Sequence, residues 1–376
     1  MRAGQRQLLL LGVPALLILL CAPYQRHPLL LVLIGGAIGL TLALTRFGFS
    51  RAYRDLLLRR DTTGVQGQLL LLAIASAAFA PLLDRGEFAG LALYGALAPA
   101  GLQVALGALL FGVGMQLAGG CGSGTLAASG SGSLRGAVAL TAFCAGAWQG
   151  SLDLGWWQQL PTLETLSLYT RFGWWPALAG QLLLLVLLWL VLRCGVQREP
   201  RSRSYWAWRQ LLQHPQGWFT GALLLALLNI ATLLTVGHPW TITWAFSLWG
   251  AKAASLAGWM PASSPFWSAP FQADALAAPL WADSTSVMNL AIMAGVALAT
   301  PHRHGTTPWQ PKALLASAIG GLLLGYGARL AYGCNVGAFF SGIASGSLHG
   351  WLWILCALPG NWLGIQLRPR FALSNH

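Results

Sequence analysis

Long apolar runs recur along this chain from one end to the other, and they limit what it can become more than any other feature. A helix needs about 20 mainly apolar residues to cross a bilayer. Runs of that kind occupy 7–22, 29–45, 67–83, 90–118, 136–152, 174–194, 217–236, 284–300, 313–331 and 349–367. Only 8% of the 376 residues are charged, against roughly 25% in a soluble globule. The surface therefore faces lipid, and the fold class is an all-α integral membrane protein with about ten transmembrane helices. The Met1–Ala22 segment has no small-residue cleavage site before the next run, so it reads as a retained helix rather than a signal peptide.

An even number of spans puts both termini on one side. Arg2 and Arg6, the group Arg46, Arg51, Arg54, Arg59 and Arg60, the arginines between 194 and 217, Arg303 with Lys312, and Arg368 with Arg370 all fall on that side. It is the cytoplasmic side by the positive-inside rule. Asp84, Glu87, Asp153, Glu164, Asp274 and Asp283 fall opposite, and Trp156, Trp157, Trp174 and Trp175 read as an interfacial belt there. The same rule accounts for the net charge of +13 without nucleic acid as a partner. The expected location is a bacterial-type inner membrane, with the lipid bilayer as surroundings.

Four segments do not fit as spans. Residues 47–60 are short and charged, 244–258 follow directly on a complete span, and 120–134 and 333–348 are rich in Gly and Ser. Irregular backbone at membrane depth persists only where protein or a water-filled cavity satisfies its polar groups. All four are expected to be short or re-entrant helices around a central site.

Two of these segments repeat each other. "GVGMQLAGGCGSG" (112–124) aligns without a gap on "GYGARLAYGCNVG" (325–337), with seven of thirteen positions identical, Cys121 and Cys334 among them. "GSLRG" (132–136) then matches "GSLHG" (346–350), and "GFSRAYRDL" (48–56) faintly matches "AFSLWGAKA" (245–253). This divides the chain into an extra N-terminal helix (1–28), a first half (29–195), a basic cytoplasmic linker (196–216) and a second half (217–376). The span count gives the two halves opposite orientation, an hourglass with one cysteine loop opening from each side. Inverted repeats whose broken helices meet at mid-membrane characterise transport pathways.

If a helix begins just after each cysteine, its free N–H groups make an anion site without a buried cation. Gly120, Gly122, Gly124, Gly333 and Gly337 permit close approach. Ser123, Thr125, Ser341 and Ser345 offer hydroxyls, and Asn335 offers an amide. A thiol at a helix N-terminus gains thiolate character, and S–H is a weak donor suited to a soft, polarizable atom. A site so lined suits a substrate anionic at one end and sulfur-like at the other.

Plainer readings cover other features. Cys21, Cys144, Cys194 and Cys356 read as small buried hydrophobes. Gly-rich stretches often serve only helix packing, but packing does not require cysteine at one place in both copies. No GK[ST] follows either loop, so neither is a P-loop. His302 and His304 read as a solvated loop, and Lys252 and Arg329 as snorkelling side chains. No CxxC or zinc-like spacing occurs, so no metal, cofactor or disulfide framework is expected. Acidic residues are nearly absent from the spans, which argues against a proton-coupled carrier.

"RFGFSRAYRDL" (46–56), "FGVGMQLAGGCGSGTL" (111–126), "ITWAFSLWGAKAA" (242–254), "SVMNLAIMAG" (286–295) and "GYGARLAYGCNVGAFFSGIASGSLHGWLW" (325–353) together resemble the YeeE/YedE family of membrane proteins. The resemblance implies uptake of a sulfur-containing anion, thiosulfate in the best understood case, through an hourglass with cysteines along the path. It implies Cys121 and Cys334 as the two loop cysteines, and a TusA-type sulfur-carrier protein as a cytoplasmic partner. Where the family has a third cysteine, this chain has Gly48. The expected function is transport without catalysis. Transport of selenium compounds or other sulfur species is the alternative. A membrane thiol oxidoreductase, which would call for a CxxC or quinone-linked cysteine pair, and a non-catalytic subunit of a larger complex stand behind it.

Overall fold

The computed structural model describes residues 3–194, 217–300 and 310–375. The 196–216 linker and the His302–His304 loop lie outside the described residues. Helices occupy most of the chain: α1 Ala3–Cys21, α2 Pro28–Thr45, α3 Phe49–Arg59, α4 Thr63–Arg85, α5 Leu102–Ala118, α6 Gly122–Gly130, α7 Leu134–Leu152, and the short α8 Leu154–Trp157 and α9 Leu168–Phe172. They continue with α10 Trp174–Cys194, α11 Trp218–Val236, α12 Thr243–Leu256, α13 Pro270–Ala277, α14 Ser284–Ala299 and α15 Pro311–Leu330. A π-helical turn, Asn335–Ser341, runs into α16 Gly342–Ala344, and α17 Leu348–Leu367 follows. Among the described residues six helical stretches are long and apolar enough to cross a membrane. The protein is a multi-pass, helical membrane protein.

Local chemistry sets the helix starts. Pro28, Pro270 and Pro311 stand at the first helical position of α2, α13 and α15, where a missing N–H does no harm. The Asp283 carboxylate caps α14 by accepting from the Ser286 N–H at 2.8 Å.

One expected span is shorter than its apolar run. Over 90–118 the helix begins only at Leu102. The preceding stretch forms β1 (Glu87–Phe88) and β2 (Leu91–Ala92), an antiparallel pair, and β3 (Pro99–Gly101), which pairs with β4 (Thr162–Thr165). Gly90, Gly95, Pro99 and Gly101 explain this, because proline removes a ladder donor and glycine favours turns over helix.

Between helices in lipid there is little hydrophobic driving force, so small residues and close backbone approach hold them together. The repeated glycines do this at matching crossings. A methyl group at Gly112 of α5 would overlap the Ala357 carbonyl oxygen of α17, and one at Gly325 of α15 would overlap the Phe143 carbonyl oxygen of α7. A methyl at Gly114 would lie 2.7 Å from the Gly320 carbonyl, and one at Gly327 would lie 2.5 Å from the Gly107 carbonyl, both across the α5–α15 crossing. Larger pairings follow the same exchange: α2 packs on α14 and α11 on α4, while α12 packs on α7 and α3 on α17. Aromatic rings fill the space inside the crossings, with Phe111 5.4 Å from Trp353 and Phe143 4.7 Å from Phe246 between ring centres.

Candidate functional site at two cysteine loops

Each cysteine stands at the start of a short helix. Cys121 is the N-cap of α6 and Cys334 the N-cap of the π-helical turn, with nearly the same backbone angles (φ −86°, ψ −166° and φ −102°, ψ −166°). The residue two places earlier is left-handed in both copies, Gly119 at φ 83° and Tyr332 at φ 54°. Glycine takes that conformation freely, and Tyr332 holds it against the steric bias of an L side chain. Gly333 is bound by space as well, since a methyl there would lie 2.7 Å from the Ala338 nitrogen. Gly120 is tight against Gly124 in the same way, at 3.0 Å.

The two helix starts differ. Cys334 accepts from the Val336 N–H, whereas Cys121 makes no such cap hydrogen bond. Val336 N lies 3.4 Å from Cys334 Sγ, and Ser123 Oγ lies 3.3 Å from Cys121 Sγ. The long C–S bond lets the Cys334 thiol reach back over its own helix start, so there sulfur occupies the place an anion would take.

The loops meet. A methyl at Gly122 would lie 3.2 Å from Cys334 Sγ, so this glycine makes room for the second thiol beside the first loop. Both thiols are buried, as are Ser123, Thr125 and Asn335. Thr125 Oγ1 and Asn335 Oδ1 have no hydrogen-bond partner among the described residues. An unpaired buried polar atom is expensive, and it marks a place where a polar group is wanted. Gly337 differs from its neighbours, because a methyl there would meet nothing within 4 Å. It borders a cavity of about 510 Å³ that is also lined by His238, Thr241, Trp244 and Ser284.

Other residues named from sequence are committed elsewhere. Ser341 Oγ donates to the Trp240 carbonyl at 2.9 Å and accepts from Asn229 Nδ2 at 3.2 Å. Ser345 Oγ accepts from the Ala96 N–H at 3.0 Å. Both brace neighbouring segments rather than line the place where the loops meet. Cys21 is buried, as a small hydrophobe should be, but Cys194 is exposed on α10. Arg329 does not reach for water; its guanidinium lies 4.3 Å from the centre of the Phe266 ring. Lys252 is likewise turned inward, donating to the carbonyls of Leu276 and Ala278, both at 2.6 Å, where it neutralises the C-terminal end of α13. Replacing Lys252 with Met should therefore lower thermal stability by about 1 kcal/mol and leave any transport near the wild-type level per folded molecule. Complete loss of transport with the fold intact would place an anion on this ammonium.

Tyr53 was not anticipated. It comes from α3, is 1% exposed, and its hydroxyl accepts from Asn335 Nδ2 at 3.3 Å. The matching residue of the second copy is Gly250, so the faint repeat carries no sign of a phenol at the centre. Gly48, the N-cap of α3, has open space around it, with the nearest atom 4.0 Å from a methyl placed there. Among the described residues no group of three His, Cys, Asp or Glu could hold a metal ion.

Known proteins resemble this chain over most of its length. Residues 44–363 match the family model described as sulphur transport. The chain is 27% identical over 353 residues to a thiosulfate transporter, TsuA, of Spirochaeta thermophila, covering 88% of this chain and 96% of the relative. It is 23% identical over 361 residues to the TsuA of Escherichia coli, covering 90% and 95%. A probable transporter, YedE, of Escherichia coli is 30% identical over 142 residues, 36% of this chain and 34% of the relative. The matched region holds both cysteine loops, α3 and every glycine crossing described above, and on that extent the chain belongs to the sulphur-transport (YeeE/YedE) family.

Proposed function

We propose that this protein carries a sulfur-containing anion, thiosulfate, across the membrane along a path that passes between the two cysteine loops. The observation that carries the reading is the contact of the loops: Cys334 Sγ lies 3.2 Å from where a methyl on Gly122 would be, with both thiols sitting on helix N-termini. Thiosulfate has a soft terminal sulfur and three hard oxygens. The thiols suit the first, and the amide N–H groups with Thr125 and Ser123 suit the second. The exchange of packing partners between the halves supports an inverted, hourglass arrangement. In that arrangement the 510 Å³ cavity is the outer vestibule, ending at Gly337.

The centre is closed by Phe49, Phe339, Phe340 and Trp240, all buried. A substrate advances by displacing a thiol from its N–H groups and taking its place. Tyr53 and Asn335 then supply the next hydrogen bonds on the way to the first loop.

The test is uptake of radiolabelled thiosulfate into proteoliposomes. Wild type should accumulate label well above empty vesicles, excess unlabelled thiosulfate should block it, and excess sulfate, which has no soft atom, should block it weakly. Uptake no greater than in empty vesicles would end the reading. Equal block by sulfate would remove the soft sulfur from recognition.

A further inference from the structure

We propose that Arg54, Arg135 and Arg368 form a second anion site, at the end of α5 that leads into the first cysteine loop, and that it takes a small doubly charged oxyanion such as thiosulfate or sulfate. The site rests on the reading that the first loop belongs to a path for anions.

Arg368 and Arg135 bracket the end of α5, and Arg54 stands on α3, which touches Gln116 of α5 through Ser50. Arg368, just past α17, is 8% exposed; its Nη1 donates to the Gln116 carbonyl at 2.7 Å, its Nε to Asn375 Oδ1 at 2.8 Å, and its Nη2 to the Ser374 carbonyl. Arg135 Nε donates to Ser317 Oγ at 3.1 Å, and its Nη2 lies 3.8 Å from where a methyl on Gly119 would be, two residues before Cys121. Arg54 stands one turn beyond Ser50, whose carbonyl accepts from Gln116 Nε2 at 3.1 Å. Burial, and after it the nearby charges of Arg54 and Arg135, push Arg368 down to about 10, which leaves it charged at neutral pH.

Two ordinary explanations fall short. Arginines that set topology need only remain in water, whereas Arg368 is buried. Cations also complement a helix C-terminus, but the α5 end supplies only about half a negative charge against three guanidiniums. The ion pair found among the described residues, Arg51–Asp55 at 3.3 Å, includes none of the three. Asp55 does act on Arg54, but it is shared with Arg51, and Arg59 adds further repulsion. Among the described residues these guanidiniums have no carboxylate in ion-pair contact, and such a cluster fits a planar-fork, multi-donor contact with an oxyanion.

The test follows the thermal midpoint of the purified full-length protein as sodium chloride is replaced by sodium sulfate or sodium thiosulfate at constant ionic strength. Wild type should gain stability saturably with both salts. Arg54→Gln and the pair Arg54→Gln, Arg135→Gln should raise the half-saturating concentration at least tenfold, and Gly180→Ala, where a methyl meets nothing within 4 Å, should leave it unchanged; the Cys121→Ser, Cys334→Ser pair is measured beside them to tell this site from the loops. Arg54 is half-buried on α3, a helix capped without its side chain, so its single variant keeps the test alive if the pair does not fold. A response to thiosulfate alone would assign the site to the transported anion, and a response to both salts to oxyanions in general. Unchanged half-saturation in the arginine variants, or no anion response in wild type, would overturn the site. A response lost only in the cysteine pair would overturn it while leaving the transport reading standing. Absent uptake with the arginine-dependent response intact would strike transport and spare the site.

Discussion

A protein with both Cys121 and Cys334 changed to serine should fold, reach the membrane at close to the normal level, and take up thiosulfate at less than a tenth of the wild-type rate. The fold should survive because both cysteines are N-caps, and serine is among the best N-cap residues. Its hydroxyl can accept from the N–H groups at these helix starts, as the Cys334 sulfur accepts from Val336, so the change in stability should stay at ~1 kcal/mol. Transport is different. Serine is harder, shorter by the difference between C–O and C–S bonds, and offers no polarizable partner to the terminal sulfur of the substrate. A tenfold loss needs only about 1.4 kcal/mol in the rate-limiting step, less than one charge-assisted contact provides. Initial uptake rates in proteoliposomes, normalised to reconstituted protein, decide the matter. Rates equal to wild type would take the thiols out of the mechanism and leave a plain anion pore built from backbone N–H groups.

The largest effect on stability should come from Gly325→Val. A methyl at this position already overlaps the Phe143 carbonyl oxygen and comes within 2.5 Å of the Ala147 nitrogen. Both are helix backbone, so relief requires α7 and α15 to move apart along a crossing that other glycines also close. Overpacking alone typically costs about 1–3 kcal/mol, and the lost packing along the crossing adds to it. We expect no monodisperse protein after solubilisation. Gly112→Val, at the matching crossing of α5 on α17, should fail in the same way. Gly180→Ala is the control: a methyl there meets nothing within 4 Å, and alanine favours the helix by about 1 kcal/mol. Size-exclusion profiles and thermal midpoints check all three. A monodisperse, heat-stable Gly325→Val protein would show that the crossing is not close-packed in the membrane.

Much of this was legible in the sequence because it rests on local chemistry. Apolar runs marked the helices, and the seven positions shared by residues 112–124 and 325–337 pointed to the two helix starts at which Cys121 and Cys334 stand as N-caps. Proline and glycine between 90 and 101 were visible too, but hydropathy outweighed them, and the irregular start of that run was read as helix. What could not be read was long-range. Whether a helix-start N–H is free depends on where a thiol rotates, and the Cys334 thiol turns back onto it while that of Cys121 does not. Ser341 and Ser345 look available as donors until Asn229, Trp240 and Ala96 are brought beside them by the tertiary fold. Tyr53 has no matching phenol in the second copy, so no repeat could point to it. The arginines at 54, 135 and 368 are far apart in sequence and join only through the end of α5.

The exchange of packing partners has a consequence for how the chain is made. The faces of α5 are closed by α15 and α17, whose residues begin at 311 and 348, while α5 itself ends at 118. At about 5–20 residues per second, a ribosome reaches α17 on the order of tens of seconds after releasing α5. Throughout that interval the glycine-lined groove of α5 faces hydrocarbon or whatever accompanies the nascent chain. The first cysteine loop has no counterpart to rest on. Biogenesis of this protein is therefore a problem of waiting: the early half is inserted long before anything exists to complete it, and a stall in the second half strands a bundle that is already in the bilayer with its best contacts unmade.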